Sequence, residues 1–208
     1  REQTHYMGPV TVVDHHLAHA ASAYYSAPWK EEPVLVLSKD GAGDGLCATV
    51  SIGENGQLTR IAKTKHTHSL GYLYTGVTYW MGMKSHEHEY KVMGLAPHAK
   101  PEHGEKVAEQ FRKLIGVEGL QFKRKTFEIP VTPFNIPHLR RIFEKQRFDN
   151  IAYGLQKLTE ELMVKWTLNA VRHTGVRKIA GAGGVFLNVK ANKLIRELPE
   201  VDGFFPMT

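Results

Sequence analysis

His15 and His19 stand four residues apart in the run Asp14-His15-His16-Leu17-Ala18-His19, and the residues that follow, AASAYY, read as helix. Positions i and i+4 stack on one helical face, so an HxxxH pair can turn two imidazoles onto one ion. Neutral imidazole binds Zn, Fe, Ni or Cu. The zinc-protease signature H-E-x-x-H needs Glu directly after its first His. His16 stands at that position, which excludes the protease reading. Spacing alone leaves two readings open: a metal site, or two surface histidines in a chain that has 12 His.

Other residues could serve chemistry nearby. Asp40-Gly41-Ala42-Gly43-Asp44-Gly45 closes an apolar run that looks like a strand feeding a loop, and glycines there let the backbone approach a ligand or ion. Asp40, at the strand's end, is its better candidate; an acidic turn is the plainer alternative. Gly181-Ala182-Gly183-Gly184-Val185-Phe186-Leu187-Asn188 joins a strand to a helix, where free amides could hold a phosphate, although tight packing also selects glycine. It is neither G-x-G-x-x-G nor a Walker A sequence. In the run from His86 to Pro97, Lys91 could meet an anionic group or pair with Glu87, the second being favoured. His66 and His68 could form a second imidazole cluster, a strand alternation that points both to solvent being favoured. Glu160 and Glu161, adjacent on a helix, diverge by roughly 100° and read as a solvated face.

The elements that must position these residues follow from periodicity and turn chemistry. A short strand at 10–13 leads into a helix over 14–26, ended by Ala27-Pro28. Residues 34–65 predict three antiparallel strands, with Gly53-Glu54-Asn55-Gly56 as a hairpin turn. Helices follow over 70–81 and 89–97 and from Pro101. The stretch 116–138 is irregular, with β-prone pieces and three Pro, and resembles an insertion. Asp149-Asn150 offers an N-cap for the longest helix, with Gly175 as its stop. A strand over 178–182, a helix over 188–198 and a strand over 201–205 complete an α/β domain.

Composition narrows the class. Cys47 is the single cysteine, so a thiolate zinc site and an intrachain disulfide are excluded, as suits a cytoplasmic protein. No apolar run is long enough to span a membrane. The net charge of +6 is spread out except at Lys123-Arg124-Lys125 and Arg140-Arg141. A solvated basic surface is the simplest account, phosphorylated ligands come next, and nucleic acid is disfavoured.

Taken in order, VDHHLAHAASAYYSAP, LSKDGAGDGLCATVSIG, HSLGYLYTGVTYWMGM, EHEYKVMGLAP, LQKLTEEL and GAGGVFLNVKAN resemble the O-carbamoyltransferases of the NodU/CmcH/TobZ type. The likeness runs from about Val12 to Pro206, weaker across 116–148. It implies the ASKHA fold of actin and sugar kinases, with RNase H-like sheets flanked by helices. It implies that His15 and His19 hold Fe(II) or Zn, that Asp40 lies near the metal and reactive centre, and that Gly183, Gly184 and Asn188 line a nucleotide site. The implied chemistry starts from carbamoyl phosphate and ATP, which give carbamoyl-adenylate in a YrdC-like domain. The carbamoyl group then passes to a hydroxyl of a sugar or natural product.

The pattern also departs from the family. An HDxSA-like strand block before the HxxxH helix, a further metal-ligand Asp after GFFPMT and the YrdC-like domain have no match. Lys39 stands where an uncharged residue is usual. The chain is thus expected to be the incomplete central part of a catalytic domain, residues 1–208, inactive alone. Enzymes of tRNA threonylcarbamoylation or hydrogenase maturation share the HxxxH helix and form the second reading. A non-catalytic metal- or nucleotide-binding module is the third.

Overall fold

The computed structural model describes residues 8–29, 31–126 and 137–207. Readings that fall on residues 1–7, on the Pro-containing segment 127–136 or on Thr208 lie outside the described residues. The predicted meander is present as β1 (Val34–Gly43), β2 (Leu46–Glu54) and β3 (Gln57–Lys65), each antiparallel to the next. Two-residue turns join them. Asp44-Gly45 has φ of 49° and 77°, and Asn55-Gly56 has 51° and 74°. Positive φ at both central positions marks the hairpin turn whose twist matches its strands. The Gly/Asp-rich segment is therefore not a loop: β1 continues through Asp40 to Gly43, which faces Leu46 across the turn.

Two parallel strands, β6 (Lys178–Ala182) and β7 (Gly203–Met207), extend the sheet to the order β3-β2-β1-β6-β7. A meander whose first strand becomes central and then pairs in parallel is the α/β, RNase H-like sheet that the resemblance implies.

Alternation along β1 divides its side chains between two cores. Val34 and Val36 pack with Ala20, Ala23 and Tyr24 of α1 (His15–Ser26), a helix whose small residues let it lie close to the sheet. Leu35 and Leu37 join the larger core on the opposite face. That core draws on α2 (Leu70–Trp80), α3 (Glu89–Leu95), α4 (Pro101–Arg112), α5 (Pro137–Phe143), α6 (Phe148–Thr174) and α7 (Val189–Arg196).

Three local readings need correction. Residues 10–13 form no strand; Val12 is 91% exposed and no neighbouring strand pairs with it. The 116–138 stretch begins with a regular hairpin, β4 (Ile115–Glu118) and β5 (Gln121–Arg124). Its Phe122 is buried 5.2 Å from the ring of Trp166, whose indole N–H donates to the Leu120 carbonyl at 2.8 Å. Finally, α6 starts at least two residues early: Arg147, not Asp149 or Asn150, is its N-cap, and Asp149 lies in the first turn and pairs with the Arg147 guanidinium at 2.8 Å. Gly175 ends the helix with φ of 72°, as its residue type predicts.

Candidate metal centre

The alternation that sends Val34 and Val36 to α1 continues with Ser38 and Asp40. Asp40 Oδ2 lies 2.9 Å from His15 Nε2 and 3.0 Å from His19 Nε2, and the two Nε2 atoms are 3.1 Å apart. Among the described residues this is the one grouping of three or more His, Cys, Asp or Glu whose donor atoms fall within 4.8 Å of one another. The sequence put Asp40 near the pair; the structure puts it on the pair.

Backbone details hold the arrangement. Asp14 caps α1 by accepting the Leu17 amide at 2.7 Å and takes an ion pair from Arg60 at 2.7 Å. Asp44, in the β1–β2 turn, accepts the His15 amide at 2.7 Å and so ties the helix start to the sheet. Glycine permits close approach on every side of Asp40. A Cβ at Gly43 would enter the His15 ring, one at Gly71 would lie 2.8 Å from Gly41 Cα, and one at Gly184 would lie 3.0 Å from Asp40 Oδ1. Gly183 has φ of 101°, and a Cβ there would meet the Lys39 carbonyl oxygen at 2.5 Å.

Burial alone would raise the Asp40 carboxyl. Hydrogen bonds from His19 and His15, with the Gly41 amide, outweigh it and hold the group well below the usual carboxylate range. Two imidazole nitrogens and an anionic oxygen converging on one point form a donor set that fits a divalent cation, iron and zinc included. This chemistry matches the metal the resemblance implies.

Two neighbours that the sequence marks without placing them, His16 and Lys39, flank the site. As a sequence position His16 serves only to exclude a protease, yet it is fully buried, 2.7 Å from Ser38 Oγ, which is 2.7 Å from Thr49 Oγ1. Burial lowers its pKa. Lys39 has the opposite parity to Asp40 and points into the larger core. Its Nζ donates to the carbonyls of Asp40 and Cys47 at 3.3 Å and lies 4.6 Å from the Phe122 ring centre. Burial lowers its pKa as well.

A cavity of about 760 Å³ opens beside Asp40, bounded by Gly41, Gly71, Gly184, Leu187 and Asn188. Asp40, Gly184 and Asn188 thus border one space, whereas Gly183 is turned toward β1. Asn188 caps α7 by accepting the Ala191 amide at 3.1 Å, and its amide exchanges hydrogen bonds of 3.0 and 2.9 Å with Gln156. Gln156 also accepts from Tyr74 at 3.2 Å and donates to Glu160 at 2.8 Å. Burial, then Glu89 and Glu160, raise the Tyr74 phenol well above its ordinary value.

Other candidates lie elsewhere or are differently paired. Lys91 meets His88 Nε2 at 3.0 Å, and Glu87 pairs with Lys84 instead. His66 and His68 lie in a 3-10 turn, not a strand; they touch the Gly45 carbonyl and the Arg124 amide. Glu160 and Glu161 are not a solvated face. Glu161 takes a two-pronged contact from Arg112 at 2.8 and 2.6 Å, joining α4 to α6.

A sheet of this topology, with an HxxxH helix over the end of its central strand, defines an α/β domain with a two-His, one-carboxylate site. The chain belongs to the carbamoyltransferase N-terminus family, whose pattern matches residues 1–205. It is 32% identical over 206 residues to the uncharacterized protein sll1178 of Synechocystis, covering 91% of this chain and 32% of that protein. It is 30% identical over 196 residues to the nodulation protein NolNO of Sinorhizobium fredii, covering 90% and 27%. With NolO of Bradyrhizobium diazoefficiens the identity is 28% over 182 residues, covering 86% and 32%. The chain spans about a third of the length of these relatives. Among the described residues, no helix is long and apolar enough to cross a membrane.

Proposed function

We propose that this chain contributes the transfer site of an O-carbamoyltransferase. Carbamoyl-adenylate, made from carbamoyl phosphate and ATP, would give its carbamoyl group to a hydroxyl of a sugar or natural product. One observation carries the reading: the convergence of His15, His19 and Asp40 at the wall of a cavity bounded also by the glycine loop. His15, His19 and Asp40 would hold Fe(II) or Zn. Bound there, such an ion supplies Lewis-acid stabilisation of charge developing on an oxygen of the donor.

The chain's own residues do the positioning. Asp40 stays anionic across the neutral range, since its hydrogen bonds depress its pKa. Gly183 and Gly184 bring the β6–α7 connection against β1 without a side chain between them, so a nucleotide can lie along backbone. Asn188, anchored by Gln156, fixes the far side of that loop. In the transfer, the acceptor oxygen bonds to the carbamoyl carbon, the carbon–oxygen bond to phosphate breaks, and AMP departs as the hydroxyl proton is lost.

The test uses the polypeptide that natively carries this chain, with a panel of hydroxyl acceptors. AMP release and an acceptor heavier by one carbamoyl group should require both carbamoyl phosphate and ATP. Replacement of both His15 and His19 by Ala should reduce turnover at least about a hundredfold, on the scale of losing a principal electrostatic contributor. Undiminished turnover in that variant would remove the metal role.

A further inference from the structure

Helix α1 meets the sheet through two unlike halves. Toward its C-terminal end the contact is small and apolar: Ala20, Ala23 and Ala27 pack with Val34, Val36, Ala180 and Ala182. Such side chains let a helix lie close to a sheet, but hydrophobic contact is non-directional and resists a small slide or rotation only weakly. At the metal end the same interface turns polar. His16, Ser38 and Thr49 are buried there, joined Nδ1 to Oγ at 2.7 Å and Oγ to Oγ1 at 2.7 Å. A hydrogen bond is directional, and a buried, satisfied network specifies one arrangement. The other ties at this end, Asp14 to Arg60 and the His15 amide to Asp44, are open to solvent.

The buried tie also sits where it acts most directly. His16 follows His15 in the helix, and Ser38 precedes Asp40 by one pleat on the same face of β1. A single bond thus fixes helix to strand beside two of the three candidate ligands. Turning α1 by one residue, roughly 100°, would carry both imidazoles away from Asp40.

We infer that His16 is a positioning residue of the metal centre: through Ser38, braced by Thr49, it sets the rotation of α1 that aims His15 and His19 at Asp40. It touches neither the ion nor a substrate. That an ion occupies the trio rests on the metal reading of the proposed function; the aiming of the two imidazoles does not.

Two readouts on the native polypeptide, depleted of metal, separate these. One is Co(II) affinity by chelator competition, with the visible spectrum of the bound ion; the other is the imidazole nitrogen NMR of His15 and His19 before any metal is added. His16→Phe keeps a ring and loses the bond. It should weaken Co(II) about tenfold, the low end for groups that orient ligands, and should displace both the visible bands and the metal-free ring signals. His16→Asn, which offers a polar atom in place of Nδ1, should recover most of the affinity. Ser38→Ala should match His16→Phe, and the double variant should be no weaker than either, since one bond is lost in all three. Tyr24→Phe removes the hydroxyl that accepts the Gly56 amide at 3.1 Å at the other end of α1. It should lower the unfolding midpoint and leave Co(II) affinity unchanged, which distinguishes aiming from general stability. Should His16→Phe fold poorly, Ser38→Ala and the His16→Asn recovery carry the test. The inference is overturned by unchanged ring signals and affinity in His16→Phe or Ser38→Ala, by losses that add in the double variant, or by an equal loss of Co(II) in Tyr24→Phe. A wild type that binds no Co(II), with ring signals displaced in His16→Phe, would overturn the metal reading and leave the positioning standing.

Discussion

Asp40 shows how one side chain can serve a site because its neighbours lack theirs. Its carboxylate has room beside both imidazoles because Gly43 makes way for the His15 ring, Gly71 for the Asp40-Gly41 backbone and Gly184 for Asp40 Oδ1. Gly183 carries the strictest requirement, a left-handed φ of 101° and a carbonyl 2.5 Å from where a Cβ would sit. Gly183→Ala is expected to destabilise the fold by about 2–4 kcal/mol, through backbone strain and displacement of β1. Thermal unfolding beside a Gly45→Ala control, where a Cβ meets nothing within 4 Å, separates the close approach from the cost of positive φ.

The histidine pair was legible because its spacing is local: four residues on a helix suffice. Asp40 was legible as a candidate but not as a direct partner, because that depends on the parity of β1 from Val34 onward. Glu89, Tyr74 and Gln156 were not legible. They come from three helices, and only tertiary packing makes them neighbours.

At the scale of elements, the turns and ends carried the errors. Asp44-Gly45 is a hairpin dipeptide, yet its glycine-rich surroundings read as a loop. Asp149 has the residue type of an N-cap, but α6 begins two residues earlier and leaves it to pair with Arg147. The hairpin at 115–124 lacked a strong pattern in its short strands, and its place is set by Phe122 against Trp166.

The joint between α4 and α6 gives an element-scale prediction. Arg112 is held by Glu161 on α6 and Glu105 on α4, and its side chain is 32% exposed. Arg112→Ala should cost about 1 kcal/mol, discounted for solvent screening. The Arg112 hydrogen bonds hold Glu161 below its ordinary value of 4.5, so the unfolded chain binds its proton more readily. The stabilisation is therefore complete above that value and fades as pH falls through it and below. Unfolding midpoints of wild type and variant should converge toward acidic pH; a gap that widened there would refute the assignment.

For the molecule as a whole, the α/β class and the three-stranded meander followed from the pattern of strands and turns. The parallel placing of β6 and β7 beside β1 came only with the structure, and the family follows from ordered blocks over nearly the whole chain. Lys39 is the clearest global tension: a fully buried ammonium with two carbonyls and a ring for company. Its depressed pKa means that the unfolded chain takes the proton first, so folding stability declines as pH falls below 10.5. Lys39→Met should raise stability at neutral pH by about 1–3 kcal/mol, with the advantage closing as pH approaches the ordinary lysine value. Denaturant titration at two pH values measures both.

The central claim is that His15, His19 and Asp40 together bind one divalent cation. Metal-depleted protein should be titrated anaerobically with Fe(II), and separately with Zn, by competition against a chelator. The account predicts one ion per chain, and loss of that ion in both the His15→Ala/His19→Ala double variant and in Asp40→Asn. Equal stoichiometry and affinity in wild type and variants would contradict it.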